Sequence, residues 1–327
     1  MNNYSALQKT LHKISLSPHF MREISFDIEK MLFLKKCGNT KTGPHIFVTG
    51  LARSGTTIIL NALHETGNFA SLTYEDMPFI LSPNLWSKLS FLNKHMEAQE
   101  RAHGDGIMVS TNSPEAFEEV FWTTFEQEDN LEELFRNYVS LILLKNNKNR
   151  YLSKNNQNIR RIGKIQDIFP NAQILVPFRD PLQHSFSLLN QNRKFSQEQS
   201  SEPFVRQYMH WIGHSEFGLD YKPIIERDLK HTDTNNLNHW LEQWLMLYQS
   251  TYNDFGSGQP NIHFICYEGL CHGTRLQDHM NNILGITLNP EFEFRESRKK
   301  IEEGYDSTLL ENCMILYKKL ASLQRKS

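Results

Sequence analysis

The chain has 327 residues, of which 39% are hydrophobic and 11% aromatic, so it is long and apolar enough to fold around a sizeable core. Its 35 lysines and arginines nearly balance its 37 aspartates and glutamates, which gives a formal net charge of −2. This balance lacks the basic excess typical of nucleic-acid-binding proteins, so we expect no nucleic-acid partner.

The N-terminal part of the chain is predicted to be helical. Within residues 1–42, apolar side chains recur at the spacing of an α-helix, at Leu7, Leu11, Ile14, Ile24, Ile28, Met31 and Leu32. Residues 41–44 break this pattern, and residues 45–49 then predict a short buried strand. A glycine-bearing turn and a predicted helix over residues 58–65 follow, so the extension leads into a strand–turn–helix unit.

Helices and strands alternate along the rest of the chain. The apolar patterns predict, in order, a helix over 113–125, a helix over 131–144, a strand over 172–178, a helix over 182–193, a helix over 236–252 and a strand over 262–267. Strands that are separated by helices pair in parallel through right-handed crossovers. We therefore predict an α/β protein with a P-loop-type three-layer fold: a central parallel sheet flanked by helices, with helical insertions and terminal helices.

One α/β domain is expected to contain most of these elements. It extends over residues 43–300, after the helical extension, and residues 301–327 are predicted to form a C-terminal helix that packs on the same domain. Neither an internal repeat nor a low-complexity linker interrupts it.

The sequence GLARSGTT at residues 50–57 has the spacing of a phosphate-binding loop. Gly50 and Gly55 follow a predicted strand and open a predicted helix, an arrangement in which backbone N–H groups and the helix dipole bind a phosphate. A nucleoside triphosphatase has a lysine where this chain has Thr56, and here Arg53 supplies the positive charge instead. No acidic residue stands obviously at a strand end to hold magnesium. The loop therefore disfavours ATP hydrolysis and predicts an anionic group held without a metal.

A second anion-binding motif follows the strand predicted over 172–178. Arg179 ends that strand, and Ser187 lies eight residues further on, inside the next predicted helix. An arginine and a serine so placed can converge on one anion. Together with the first loop, they predict two separate phosphate sites, as a nucleotide that is phosphorylated at both ends would need.

These two motifs together resemble those of the sulfotransferase family, which uses 3′-phosphoadenosine 5′-phosphosulfate. The resemblance implies that this nucleotide is the co-substrate and that no metal is required. It implies that the 5′-phosphosulfate binds to the first loop, at Arg53, Ser54, Gly55, Thr56 and Thr57. By the same resemblance, Arg179 and Ser187 bind the 3′-phosphate.

Further residues extend the resemblance over about residues 43–270. Tyr267 and Glu268 are similar to a tyrosine–glutamate pair that closes a late strand and places the tyrosine near the nucleotide. Lys154 resembles a family lysine near the transferred group. Residues 71–79, SLTYEDMPF, look like bacterial members that are related to tyrosylprotein sulfotransferases.

A sulfuryl transfer to a hydroxyl group needs a general base, and three residues are candidates. The related tyrosylprotein enzymes use a glutamate downstream of the loop arginine, and that register falls on Glu75 or Asp76. The pattern favours Asp76, because it directly precedes Met77-Pro78, where a fixed backbone can aim its carboxylate. His103 is the third candidate, since a nearby aspartate could orient it and cytosolic sulfotransferases use a histidine.

Other chemically interesting residues have structural interpretations. A basic run at Arg295, Arg298 and Lys299 could grip the 3′-phosphate, but a solvated charged segment is equally expected. His210 and His214 lie four residues apart, which suggests packing or acceptor contact rather than a zinc site, and no metal site is predicted. A stripe at every fourth residue predicts one buried helix face: Trp240, Trp244, Tyr248 and Tyr252.

The composition also bears on the location of the protein and on alternative functions. No apolar run approaches the ~20 residues that cross a bilayer. The first residues lack the apolar core of a secretory signal. The four cysteines include no CxxC pair, which is typical of a protein in a reducing compartment. We therefore expect a cytoplasmic protein.

The acceptor class is open between sugar, lipid, small molecule and peptide, with specificity expected in residues 77–112 and 194–235. The oligomeric state is equally open. Two alternatives stand beside a sulfotransferase: a P-loop small-molecule kinase, and a non-enzymatic nucleotide-binding protein with a degenerate loop.

Overall fold

A central parallel sheet organises the molecule. The computed structural model describes residues 6–89, 99–100, 108–109, 112–256 and 258–323. The strands are β1 (Ile46–Val48), β2 (Gln99–Glu100), β3 (Met108–Val109), β4 (Leu152–Lys154), β5 (Gln173–Phe178) and β6 (Ile262–Cys266). Four of them form one sheet in the order β4-β1-β5-β6, with every neighbouring pair parallel, whereas β2 and β3 form a separate antiparallel pair.

Helices precede, connect and follow the strands. In chain order they are α1 (Ala6–Leu16), α2 (His19–Phe33), α3 (Thr56–Glu65), α4 (Pro83–Lys88), α5 (Glu119–Phe125), α6 (Leu131–Asn146), α7 (Ile162–Ile168), α8 (Pro181–Ser201), α9 (Pro203–Trp211), α10 (Leu237–Phe255), α11 (Tyr267–Cys271), α12 (Thr274–Leu284) and α13 (Ser307–Leu323). Short 3-10 turns occur at Leu34–Lys36, Tyr74–Asp76 and Asn156–Arg160. None of the described helices is long and apolar enough to span a membrane.

The sheet is apolar on both faces because helices cover both. Side chains alternate along a strand, so Phe47 and Ile174 belong to one buried cluster while Val48 and Leu175 belong to the other. Strands buried on both faces are continuous apolar runs, which is why the sequence patterns predicted β1, β5 and β6. The predicted α/β class, with a parallel sheet between helical layers, is confirmed.

The aromatic stripe in α10 is confirmed as part of the core. Trp240, Trp244 and Tyr248 are at most 2% exposed, and Tyr252 is partly buried against the same cluster. The Tyr248 hydroxyl donates a 2.7 Å hydrogen bond to the Pro177 carbonyl at the end of β5. The buried Tyr248 side chain of α10 therefore provides a hydrogen-bond donor for a backbone carbonyl near the end of β5.

Several element boundaries differ from the prediction; the helix expected over 182–193, for example, extends to Ser201. The helix expected over 113–125 begins only at Glu119, because the preceding residues are extended and pair with the chain near residue 73. The Glu115 amide donates to the Leu72 carbonyl at 3.2 Å, and Pro114 has no amide hydrogen to give a helix. The C-terminal helix starts at Ser307 rather than at 301.

The terminal helices lie against the α/β core, with their apolar side chains divided between two faces. On α2, Phe26 and Phe33 are buried, as is Leu16 at the end of α1. Of the residues that predicted these helices, most are exposed: Leu7, Ile14, Ile24, Ile28, Met31 and Leu32.

At the C-terminal end of the chain, α13 packs on α10, where the Cys313 thiol lies 3.5 Å from the Leu241 carbonyl. The division into an extension, a domain and a C-terminal helix stays a prediction.

Acidification is expected to destabilise this fold through His45. Burial lowers the pKa of His45 to about 4, and its neutral ring accepts a 3.0 Å hydrogen bond from the Tyr151 amide. The unfolded chain, with an ordinary histidine pKa of about 6.5, takes up the proton first, so stability falls as the pH drops from about 6.5 towards 4. We expect His45 to account for about 2 kcal/mol of the loss between pH 7 and pH 4.5.

Urea unfolding of wild type and His45→Leu at these two pH values measures this contribution. The variant should be less stable at pH 7 but should lose about 2 kcal/mol less on acidification. An equal loss in both proteins would show that His45 does not carry the effect.

Candidate active site

The carboxyl ends of the four parallel strands lie at one edge of the sheet, and a predicted site residue or segment lies at each of these ends. The 50–57 loop follows β1, Lys154 ends β4, Arg179 follows β5 and Tyr267 follows β6. This edge therefore brings together segments that are far apart in sequence.

A further extended segment delivers the two candidate carboxylates to the same edge. Ala70 forms a parallel bridge to Tyr151 beside β4, and the Ser71 hydroxyl donates to the Leu152 carbonyl at 2.7 Å. The chain then ends this extended path in the 3-10 turn Tyr74–Asp76. Glu75 and Asp76 thus lie beyond the end of β4, on the outer flank of the site.

The 50–57 loop has a conformation that few sequences could adopt. Gly50 and Gly55 have φ angles of +148° and +100°, and Arg53 has a φ of +68°, which is unusual for a residue with a side chain. Gly55 is the residue before the first turn of α3, so the amides of this turn face the loop. The loop also contains three buried residues with hydroxyl groups: Ser54, Thr56 and Thr57. A loop of this shape at a helix N-terminus binds anions.

The two predicted anion motifs are in direct contact. The Arg53 Nε donates a 3.2 Å hydrogen bond to the Ser187 Oγ, although 134 residues separate them. Arg179 lies on the same side: its guanidinium is 5.9 Å from the centre of the Tyr267 ring, and its Nη2 donates to the Ser297 carbonyl at 3.0 Å. The structure therefore joins the residues that the sequence assigned to separate phosphates.

Tyr267 closes the 50–57 loop from the side of β6. A Cβ atom placed on Gly55 would lie only 2.3 Å from the Tyr267 Cδ2, so the ring rests directly on the glycine. The Tyr267 hydroxyl donates to the Arg295 carbonyl at 3.1 Å. Glu268 accepts a 2.8 Å hydrogen bond from the Asp180 amide, and this bond connects the start of α11 to the end of β5.

Lys154 ends β4 beside Val48, the last residue of β1, and is 8% exposed. The segment after it is held by buried charges: Asn155 donates to Glu119 at 2.8 Å, and Glu119 forms a bidentate ion pair with Arg161 at 2.7 and 3.0 Å. Burial raises the pKa of Glu119, which the arginine opposes. This support could not be predicted from the sequence, because nothing in the spacing of residues 119, 155 and 161 relates them.

The two candidate carboxylates have different surroundings. Asp76 is 1% exposed, and its Oδ2 accepts from the Thr73 amide at 2.9 Å while its Oδ1 accepts from the Lys145 ammonium at 2.7 Å. Burial raises the pKa of Asp76 and the Lys145 charge opposes this. The Glu75 carboxylate has a 42% exposed side chain and lies 3.4 Å from the same lysine. Asp76 thus fixes the turn that carries Glu75.

The structure gives less support for a place in the candidate site to the remaining predicted residues. His103 lies outside the described residues. The side chains of Arg295 and Arg298 are 84% and 73% exposed and pair with Glu293 and Glu296. The contacts of this run with Tyr267 and Arg179 are made by the backbone carbonyls of Arg295 and Ser297. His214 lies 3.2 Å from the Ala116 carbonyl.

The arrangement is suited to a group with several negative charges. Arg53, Lys154 and Arg179 come from three strand ends, and Lys154 and the side chain of Arg179 are at most 11% exposed, so water screens them weakly. Among the described residues, no group of three histidine, cysteine, aspartate or glutamate side chains could hold a metal ion.

A comparison with known protein families matches most of the chain. The model of the sulfotransferase family matches residues 44–277, which include every strand of the parallel sheet and the segments that contain the 50–57 loop, Lys154, Arg179 and Tyr267. No curated protein sequence gives a significant match.

Solved structures of bacterial sulfotransferases also match this chain. STF1 from Mycobacterium tuberculosis superimposes with a TM-score of 0.52 at 11% identity, over 97% of this chain and 87% of that chain, which shows a similar fold. STF9 from Mycobacterium avium gives 0.49 at 13% identity, over 100% of this chain and 88% of that chain. The sulfotransferase from Alicyclobacillus acidocaldarius gives 0.40 at 15% identity, over 86% of this chain and 94% of that chain. By the family match over most of its length, the chain belongs to the sulfotransferase family.

Proposed function

We propose that this protein transfers a sulfuryl group from 3′-phosphoadenosine 5′-phosphosulfate to an acceptor hydroxyl or amine. The observation that supports this donor is the contact between Arg53 and Ser187, which makes one continuous surface from two anion-binding motifs. A nucleotide with a phosphate at its 3′ position and a phosphosulfate at its 5′ position presents one anionic group to each motif.

Each residue of this surface has a role under the proposal. The amides of the 50–57 loop, the hydroxyl groups of Ser54, Thr56 and Thr57, and the start of α3 would hold the 5′ end. Arg179 and Ser187 would hold the 3′-phosphate, with Tyr267 beside the nucleotide. Such a set fits the donor because the hydrogen-bond donors and positive charges are already in place in the folded chain.

Positive charge at the transferred group would supply most of the rate enhancement. As the sulfuryl group moves in line from donor to acceptor, negative charge grows on the bridging and peripheral oxygens. Preorganised charges at Arg53 and Lys154 stabilise that state more than the ground state. The chain thus positions the reactants and neutralises developing charge.

For the general base, we propose Glu75, with Asp76 as the residue that positions it. The sequence pattern favoured Asp76, but both of its carboxylate oxygens are engaged in holding the turn and Lys145. Glu75 is on the same turn, and its partly exposed carboxylate can meet an acceptor hydroxyl.

Replacing the two carboxylates separately tests this assignment. Glu75→Gln should lower kcat about 10²–10⁴-fold with little change in melting temperature, because only the proton acceptor is lost. Asp76→Asn should cost about 3 kcal/mol of stability, because it breaks a buried ion pair. Turnover and thermal unfolding are measured for both, with Glu132→Gln on the exposed surface of α6 as control. If Glu75→Gln retains full turnover, Glu75 is not the base.

The donor is tested by binding and by transfer. Addition of 3′-phosphoadenosine 5′-phosphate at 100 times its Kd should stabilise the protein by about 2.7 kcal/mol, whereas adenosine 5′-phosphate should bind more weakly. Incubation with donor carrying labelled sulfate and a panel of sugars, lipids, phenols and peptides then identifies the acceptor class. Failure to bind the bisphosphorylated nucleotide at millimolar concentration would overturn the proposal.

The same assay separates the alternatives. A P-loop kinase would turn over magnesium ATP, which Thr56 in the lysine position argues against. A non-enzymatic nucleotide-binding protein would bind equally well after Glu75→Gln and would label no acceptor. A cytoplasmic location stays a prediction from the composition and from the cysteines, which are unpaired.

A further inference from the structure

The start of α8 makes two contacts with the 50–57 loop, one to the Ala52 carbonyl and one to the Arg53 side chain. Arg53 is the residue of this loop with the least favourable backbone conformation. Arg53 has a φ of +68°, a conformation that persists only where the surroundings fix it. The carbonyl of the residue before it, Ala52, lies 2.8 Å from the His184 Nε2. The Arg53 side chain donates to Ser187. His184 and Ser187 are three residues apart and so share one face of the helix.

The protonation state of His184 follows from its surroundings. A carbonyl oxygen can only accept, so the His184 Nε2 carries the hydrogen and donates it to Ala52. The side chain is fully buried, and burial together with the charges of Arg179 and Arg53 lowers its pKa to about 3. Its Nδ1 has no hydrogen-bond partner among the described residues. The imidazole is therefore a neutral donor committed to the backbone of the loop.

We propose that His184 is a positioning residue: with Ser187, it fixes the backbone at Ala52 and Arg53 so that the two anion motifs form one preorganised unit. This inference rests on the proposed function for its purpose, since only a ligand with two anionic ends needs both motifs at a fixed separation. A loop that these contacts hold in place would not have to be ordered when the ligand binds.

Hydrogen exchange of the ligand-free protein tests the inference directly. His184→Leu removes the donor, while His184→Gln keeps an amide donor of similar reach. Exchange of backbone amides in residues 50–57 should be at least about tenfold faster in His184→Leu than in wild type, and close to wild type in His184→Gln. The matched control is His45→Leu, because His45 is equally buried and its Nε2 also lies 2.8 Å from a carbonyl, that of Thr40.

The control separates positioning from general destabilisation. His45→Leu should leave exchange of the 50–57 loop unchanged at temperatures well below melting. Loop exchange that is equal in wild type and His184→Leu, or that rises equally in His45→Leu, would overturn the inference. Should His184→Leu not fold, His184→Asn takes its place, because the shorter amide does not reach Ala52.

Ligand binding gives a second readout. The Kd for 3′-phosphoadenosine 5′-phosphate, measured by calorimetry, should rise about tenfold in His184→Leu and change less than about threefold in His184→Gln. If wild type does not bind this nucleotide, the proposed function fails, while the exchange experiment still decides whether His184 fixes the loop. If wild type and His184→Leu bind equally, the inference alone fails.

Discussion

Arg53→Ala is expected to lower kcat/KM for sulfuryl transfer about 10³-fold while the protein keeps its fold. The guanidinium lies in the 50–57 loop and contacts Ser187, so its removal takes away the charge that is closest to both anion motifs. Loss of one preorganised donor at a developing negative charge costs about 10²–10³ in rate, and the lost ground-state binding adds to this. Steady-state kinetics and circular dichroism measure the two effects.

Two further variants define which property of Arg53 matters. Arg53→Lys keeps the charge but not the planar fork, so its activity should lie between those of wild type and Arg53→Ala. Arg136→Ala is the matched control, because Arg136 pairs with Glu132 on the surface of α6 and should leave turnover unchanged. Activity of Arg53→Ala above one tenth of wild type would exclude the proposed role.

Gly55→Ala is expected to weaken nucleotide binding at least about tenfold and to destabilise the protein by about 2–3 kcal/mol. Two causes act together. The φ of +100° is unfavourable for alanine, and the added Cβ would lie 2.3 Å from the Tyr267 ring, which must then move out of the site. Urea unfolding and calorimetric titration with 3′-phosphoadenosine 5′-phosphate measure the stability and the affinity.

Gly67→Ala measures how much stability is lost from the unfavourable backbone conformation alone. Gly67 also has a positive φ, of +70°, but apart from its neighbours in the chain no atom of the described residues lies within 4 Å of the position of its Cβ. This control should lose only about 1 kcal/mol and should bind the nucleotide normally. If Gly55→Ala behaves like Gly67→Ala in both measurements, the contact with Tyr267 does not shape the site.

The strands that the sequence predicted correctly are those with continuous apolar runs. β5 and β6 are buried over almost their whole length, so their patterns are unambiguous. β4 was missed because its three residues, Leu152–Lys154, include a serine and a lysine that are buried only through the tertiary fold. Likewise, helical spacing predicted α1 and α2 but not which side faces the core, since both sides of α2 carry apolar residues.

The candidate site could be anticipated from the sequence only where it consists of local motifs. The 50–57 loop and the pair Arg179 and Ser187 have spacings that follow from the geometry of one loop or of the first two turns of one helix. Contacts between distant elements have no such spacing, so the contacts of Glu119 and His184 could not be inferred. The proposal of Glu75 over Asp76 depends on which carboxylate Lys145 binds most closely, and that lysine lies 69 residues beyond Asp76.

The strand order also constrains how the chain folds. Val48 of β1 lies beside Lys154 and Leu175, and β6 joins the sheet only after more than two hundred residues have preceded it. Closing such long loops costs conformational entropy before the contacts that stabilise them can form, which slows folding. On the ribosome, the binding surface is therefore completed late, because Tyr267 must be synthesised before it can cover Gly55.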